Sequence, residues 1–253
     1  MSLRRKIQIT AVVLSNSYFL SFLRFFPCFG LNCHGCPLAT FVCPIGALQY
    51  FITTGRVPFF VIGVLGLMGL LAGRWFCGWF CPFGFLQELL FKLPTRKFDL
   101  PRGAGWLKYF VIIFLVVLLP YLTGDEWFCR LCPAGTLTAG IPLVLIEESF
   151  RQIIGGWFWF KVSFLIVFIL LAVFYQRWFC RTLCPLGLIF SFFNWLSFWG
   201  LKVTEEKCDL CKVCVQKCPM GIIPYEEVDG LGCNRCLECA KVCPSKAITI
   251  QAR

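Results

Sequence analysis

Histidine is almost absent from this chain of 253 residues: His34 is the only one. A b-type haem held across a membrane takes two axial histidines, so the chain is not a cytochrome b. Acidic residues are also scarce, 13 Asp and Glu against 24 Lys and Arg, and charged residues of both signs make up only 15%. No Gly-x-Gly-x-x-Gly opens a βαβ pattern and there is no P-loop. Those absences exclude the usual dinucleotide and nucleotide cradles, and with them a hydride-handling cofactor bound that way.

What the chain has instead is cysteine, phenylalanine and long apolar runs. It holds 18 Cys and 29 Phe, is 58% hydrophobic and has a mean hydropathy of +0.77. A helix needs about 20 apolar residues to cross a bilayer. Four segments approach that length, near Lys6 to Phe26, Val57 to Phe76, Trp106 to Leu122 and Trp157 to Tyr175. The first is interrupted by Gln8, Ser15, Asn16 and Ser17 and lacks a small-residue cleavage site, so it reads as an uncleaved helix. All nine Trp precede residue 201, most of them near segment ends, as in an aromatic belt. Glycines 63, 66, 69 and 73 form a stripe on the second segment that predicts close helix packing.

The net charge of +11 would suit nucleic acid, but its distribution does not. From Leu201 onward eight Lys and Arg face seven Asp and Glu. The excess lies beside the apolar segments, at Arg4, Arg5, Lys6, Lys92, Arg96, Lys97, Arg102, Lys108, Arg177 and Arg181. The other loops carry Asp125, Glu126, Glu147 and Glu148; Arg24 departs from the pattern. This is the positive-inside bias of a bilayer protein. It predicts a prokaryotic cytoplasmic membrane location, with the N-terminus and the C-terminal part in the cytoplasm and no nucleic-acid partner.

That C-terminal part contains Cys-x-x-Cys-x-x-Cys-x-x-x-Cys-Pro twice: Cys208, Cys211, Cys214, Cys218, Pro219, and Cys233, Cys236, Cys239, Cys243, Pro244. The spacing is that of bacterial two-cluster ferredoxins, in which the fourth cysteine of each run serves the other [4Fe-4S] cube. The expected sets are Cys208, Cys211, Cys214 with Cys243, and Cys233, Cys236, Cys239 with Cys218. Zinc sites use paired Cys-x-x-Cys and leave the third cysteine and the Cys-Pro without a reason. The stretches Gly221 to Tyr225 and Ala247 to Ile250 read as short strands.

The apolar part repeats itself. Cys43-Pro-Ile-Gly-Ala-Leu, an apolar segment and Arg74-Trp-Phe-Cys77-x-x-x-Cys81-Pro are followed by Cys132-Pro-Ala-Gly-Thr-Leu, an apolar segment and Arg177-Trp-Phe-Cys180-x-x-x-Cys184-Pro. With two spans per half the halves run parallel. Cys77 and Cys81, four apart, are expected on one helix face, as are Cys180 and Cys184. Together they offer the four thiolates of a further cube. On the opposite side stand Cys28, Cys33, Cys36, Cys43, Cys129 and Cys132, two more than one cube needs. They are open to two readings, a cluster or a thiol–disulfide pair. His34 is a loop residue by default, with a ligand or a quinone-site proton acceptor as the alternatives. Glu147 and Glu148 could accept protons or simply be solvated.

The expected fold is therefore an all-α polytopic membrane domain over residues 1–200, with four transmembrane helices in two parallel pseudo-repeats. A small α+β two-cluster ferredoxin-like domain follows over 201–253. Its cofactors would be two [4Fe-4S] clusters in the latter and one or two more in the former.

The two Cys-x-x-x-Cys-Pro motifs and the eight ferredoxin cysteines, behind four apolar segments, resemble the NapH-type family, with relatives in the NosR and CcoG groups. The resemblance implies a membrane iron–sulfur protein that passes electrons between redox partner proteins and quinone or an acceptor on the outer side, as a quinol dehydrogenase component does. It also implies the alternatives of a CcoG-type copper reductase or assembly factor, and beside these stands a quinone-linked thiol oxidoreductase. The stretch from Cys28 to Gln49, with its Cys33-x-x-Cys36-Pro and Cys43-Pro, departs from NapH itself.

Overall fold

The computed structural model describes residues 3–25, 30–33, 36, 40–146, 148–152 and 154–253. Cys28, His34 and Glu147 lie outside the described residues. The chain opens with helix α1 (Leu3–Ser15). Next come α2 (Pro44–Thr53), α3 (Phe59–Ala72), the short α4 (Trp75–Trp79) and α5 (Pro82–Leu90). Then follow α6 (Gly103–Thr123), α7 (Trp127–Leu131) and α8 (Pro133–Ile146). The second half closes with α9 (Gly156–Phe174), α10 (Trp178–Thr182) and α11 (Pro185–Phe192). The C-terminal part has one two-stranded antiparallel sheet, β1 (Trp199–Val203) with β2 (Ile248–Ala252), and two helical turns, α12 (Val213–Gln216) and α13 (Glu238–Val242).

The protein is mostly helical, but among the described residues only α6 and α9 are long and apolar enough to cross a membrane. α1 has 13 residues and α3 has 14; at 1.5 Å per residue each is ~20 Å long, short of the roughly 30 Å hydrocarbon layer. The first predicted span is not one continuous helix: α1 ends at Ser15, and its Arg4 and Gln8 turn inward and donate to the Gly78 carbonyl as α1 packs on α4 and α5.

α9 buries only Leu165, Phe168 and Ala172, one stripe, and leaves Trp157, Trp159, Ile166, Val167 and Leu170 exposed. A helix that is apolar all round yet exposed over most of its surface needs an apolar surrounding. The stripe meets α5 and α10, where the rings of Phe83, Phe168 and Phe179 pack at centroid distances of 4.7 to 5.7 Å. Each such buried ring contributes about 1.5–3 kcal/mol, and the cluster forms the floor beneath the cysteine-bearing turns. The glycine stripe is close-packed at one end only. Phe193 fills the space over Gly69, while among the described residues nothing lies within 4 Å of a Cβ placed on Gly63 or Gly66.

The sheet pairs Trp199 with Ala252 through Val203 with Ile248. The segment from Gly221 to Tyr225 is not a strand. Gly221 takes φ +64° and Pro224 begins a helical turn at 224–227, because proline has no N–H to give a ladder. The strand partner comes instead from just before the first cysteine run.

Candidate functional site

Cys81-Pro, Cys132-Pro and Cys184-Pro each end one helix and start another, and Cys43-Pro starts α2. Proline fits the first helical position and forces an extended residue before it. Cys81 (φ −68°, ψ 114°) and Cys184 (φ −71°, ψ 110°) accordingly cap α5 and α11. Their sulfurs accept from the backbone N–H of Gly84 at 3.4 Å and Gly187 at 3.3 Å. Cys77 sits on α4 and Cys180 on α10. The pairs thus straddle helix breaks, and do not lie along one helix face as their spacing of four suggested.

All four thiols are buried and act on one another. Burial pushes the Cys77 thiol up to about 12, with Arg74 and Arg177 opposing the rise and Cys81 and Cys180 adding to it. Burial likewise raises Cys184, with Cys180, Cys77 and Cys81 adding. Such a group holds its thiolate form only beside positive charge. Among the described residues no three Cys, His, Asp or Glu converge on a single ion. A lone tetrahedral metal draws sulfurs to about 2.3 Å from one point, whereas a cube with irons at four alternate corners holds them farther apart.

Two arginines cross the pseudo-twofold. Arg74 donates Nη2 to the Cys180 carbonyl at 2.9 Å, and Arg177 donates Nη1 to the Cys77 carbonyl at 3.1 Å. Each is only 1% exposed. Arg177 is neutralised by Glu88, which also holds Arg4. Burial works against the Glu88 carboxylate, but Arg177 and Arg4 outweigh it and hold the group below the usual range. Arg74 has no carboxylate among the described residues. It donates to the carbonyls of Cys180 and Leu231 and leaves Nε with no acceptor. A buried cation without a counter-ion is costly, and a cube on four thiolates is an anion. The residues therefore fit the group that the spacing implies: four thiols, N–H donors to sulfur and an unpaired positive charge beside them. Gln87 completes the shell. Its Nε2 donates to Cys180 Sγ at 3.2 Å while its Oε1 accepts from the Phe179 N–H at 3.1 Å.

The C-terminal part is locked onto this site. Cys218, Cys233, Cys236 and Cys239 line one cavity, which places Cys218 with the second run. Cys208, Cys211 and Cys214 act on one another. Cys243 lies 3.5 Å from the Ser245 hydroxyl. Gly78, next to Cys77, faces the second run so closely that a Cβ there would stand 2.5 Å from the Asn234 carbonyl oxygen and 3.4 Å from Cys236 Cα. Arg177 feels both Cys180 and Cys236. Asn194 donates to the Gly230 and Cys233 carbonyls at 3.0 and 2.9 Å and accepts from the Arg74 N–H. Buried Arg235 donates to Asp229, Ser197 and the Ala72 carbonyl.

Of the six cysteines predicted on the opposite side, Cys33, Cys43, Cys129 and Cys132 line a common cavity. Cys36 is not among the lining residues; it is buried with Ala139, and Cys33 and Leu143 pack against that pair. Sequence reasoning took Arg4 and Arg177 for loop charges and passed over Arg74, Gln87 and Glu88. The repeated Arg-Trp-Phe-Cys was the available signal for both arginines.

A family described as a 4Fe-4S binding domain matches residues 53–101, 107–143 and 156–202, and a second 4Fe-4S binding family matches 201–223. An uncharacterized protein of Methanocaldococcus jannaschii is 35% identical over 82% of this chain and 85% of its own length. The ferredoxin-type protein NapH of Escherichia coli is 26% identical over 83% of this chain and 74% of its own. The regulatory protein NosR of Stutzerimonas stutzeri is 30% identical over 67% of this chain but only 23% of its own length. No solved structure matches. With its cysteine sets and these matches, the chain belongs to the NapH-like family of 4Fe-4S proteins and is an iron–sulfur electron-transfer protein.

Proposed function

We propose that this chain is a multi-pass protein of the prokaryotic cytoplasmic membrane that relays single electrons between a cytoplasmic redox protein and a partner at or across the bilayer. Residues 1–200 form the membrane domain and residues 201–253 the ferredoxin-like domain. In the latter, Cys208, Cys211 and Cys214 with Cys243 hold one cube, and Cys233, Cys236 and Cys239 with Cys218 hold another. Cys77, Cys81, Cys180 and Cys184 hold a third between the halves. Bound there, the cubes supply one-electron chemistry tuned by charge and by hydrogen bonds to sulfur.

The observation that carries the reading is the contact of Gly78 with Asn234 and Cys236. It sets two of the cysteine sets backbone against backbone, with Arg177 between them. Arg4 supports the orientation, because it reaches Glu238 of the C-terminal part at 3.2 Å and so keeps the N-terminus on the same face. The exposed apolar surface of α6 and α9 supports the bilayer. Quinone is the membrane-side partner favoured by an apolar cavity of about 390 Å³, lined by Leu71, Ala72, Trp75, Trp199, Leu237 and Ile250 among others. Leu237 there adjoins Cys236.

The test is iron and acid-labile sulfide per chain in anaerobically purified protein, with EPR of the reduced form. A Cys77→Ala/Cys180→Ala variant should lose about four irons and keep both ferredoxin signals. A wild type holding only about eight irons, all in the ferredoxin part, would sink the conduit.

A further inference from the structure

We propose that Cys33, Cys43, Cys129 and Cys132 hold a fourth [4Fe-4S] cube, which makes the outer end of the chain a redox terminus; this rests on the reading that Cys77, Cys81, Cys180 and Cys184 hold the third. The four thiols line one cavity closed by Leu31 and Phe128. Gly135 presses on it: a Cβ there would stand 3.5 Å from Cys33 Sγ and 3.9 Å from Cys132 Cβ.

The construction copies that of the inner site. Cys43 (φ −63°, ψ 122°) and Cys132 (φ −68°, ψ 118°) stand before helices that begin with proline, in the same extended backbone as Cys81 and Cys184 but without their sulfur cap bond. In all four a glycine stands three residues on, at Gly46, Gly84, Gly135 and Gly187. A glutamine then follows six residues after Cys43 and six after Cys81: Gln49 and Gln87. Both are fully buried. Gln87 takes the Phe179 N–H, next to Cys180, on its Oε1. Gln49 takes the Cys129 N–H on its Oε1 at 3.2 Å and donates Nε2 to the Leu115 carbonyl at 3.0 Å. Each site is thus a Cys-Pro-x-Gly-x-Leu-Gln turn whose glutamine clamps the opposing cysteine turn from the other half of the chain. Fixing the shell around ligands in this way is what metal sites require of their surroundings. A thiol–disulfide centre needs two cysteines and access for a partner. This site brings four together, with Cys43 and Cys132 buried.

The two sites are also near each other. A Cβ on Gly30 would stand 3.1 Å from Cys81 Sγ. Three residues later the chain reaches Cys33, a span of at most roughly 11 Å. The apolar part is therefore bridged from the inner site toward the outer half of α6, where Gln49 meets Leu115, without a 30 Å gap.

The experiment uses the full chain, purified anaerobically in detergent. Iron and sulfide are counted, and cysteines are mapped by alkylation and mass spectrometry before and after chelation strips the iron. The expected result is about sixteen irons, with Cys33, Cys43, Cys129 and Cys132 protected until stripping. Cys43→Ser/Cys132→Ser should lose about four irons and keep the EPR signals of the other cubes. Gln49→Leu should weaken retention of those four irons alone, and it keeps the test alive should the double variant not fold. About twelve irons with these four thiols alkylated in the native protein, or a Cys129–Cys132 disulfide, would overturn the proposal and leave the third cube standing. Native alkylation of Cys77 and Cys180 would instead overturn the reading on which it rests.

Discussion

The two Arg-Trp-Phe-Cys turns are near-identical in sequence and opposite in electrostatics. Arg177 sits in an ion cluster with Glu88 and Arg4, although its Nη2, like Arg74 Nε, has no hydrogen-bond partner among the described residues. Arg74, its counterpart, has only the Cys180, Leu231 and Gly232 carbonyls and keeps Nε unpaired. The difference arises six and seven residues past each Cys-Pro cysteine. The first half has Gln87 and Glu88 there, and the second has Phe190 and Ser191. The second half's arginine is thus held by a carboxylate of the first half, and the first half's arginine is held by carbonyls of the second half and of the C-terminal part. Identical local sequence fixes neither the backbone, since Arg74 has φ −80° and Arg177 φ 48°, nor the charge balance, which depends on what packs around it.

The largest expected effect comes from opening the ion cluster. Glu88→Gln leaves Arg4 and Arg177 buried side by side and should cost about 3–5 kcal/mol, read as loss of thermal stability in detergent. Its acid dependence has a definite sign. Glu88 is held below its ordinary value of about 4.5, so its contribution is complete above that pH and is lost as pH falls through the lower folded value. The wild type should converge on the Glu88→Gln variant in acid, measured by helical circular dichroism; parallel curves at all pH values would refute the ion cluster.

Arg74→Met should behave in the contrary way, with little loss of stability in the iron-free protein and a lowered potential for the cube proposed at Cys77, Cys81, Cys180 and Cys184. A unit charge a few Å away at an effective dielectric near 20 is worth ~3 kcal/mol, on the order of 100 mV in a redox titration followed by EPR. An unchanged potential would mean that Arg74 is purely structural.

Gln87→Leu removes an N–H donor to Cys180 Sγ and an acceptor for the Phe179 N–H. It should cost about 1–3 kcal/mol and shift the same cube's potential downward by less than Arg74→Met does. The smallest effect is expected at the capping glycines. Gly187→Ala meets the end of the Arg74 side chain at 2.9 Å, which can yield, while Gly84→Ala meets the Cys77 carbonyl at 3.3 Å, which cannot. Gly84→Ala should therefore be the more disruptive by up to ~1 kcal/mol, in the same thermal assay.

Much of the site was legible in the sequence because ligand spacing is local. The two ferredoxin runs, the paired Cys-x-x-x-Cys-Pro motifs and the internal repeat need no tertiary information. The apolar segments were legible in composition but not in length. Gln8 and Arg4 looked like interruptions and loop charges, and proved to be inward-facing donors. The six outer cysteines could not be sorted by spacing, since Cys33-x-x-Cys36 and Cys129-x-x-Cys132 look alike. Both cysteines of the second pair line the outer cavity, whereas of the first pair Cys33 lines it and Cys36, packed behind Cys33, does not.

The sequence by itself determined the donor types, their spacing, the turn at every Cys-Pro and membership of the family. Each of these follows from covalent geometry within a few residues. The tertiary structure decided which sulfurs share a site, which arginine is left with charge to spare, and how closely Gly78 approaches Cys236. Those are outcomes of contacts between residues far apart in the chain. There burial cost and charge balance, rather than spacing, choose the partner.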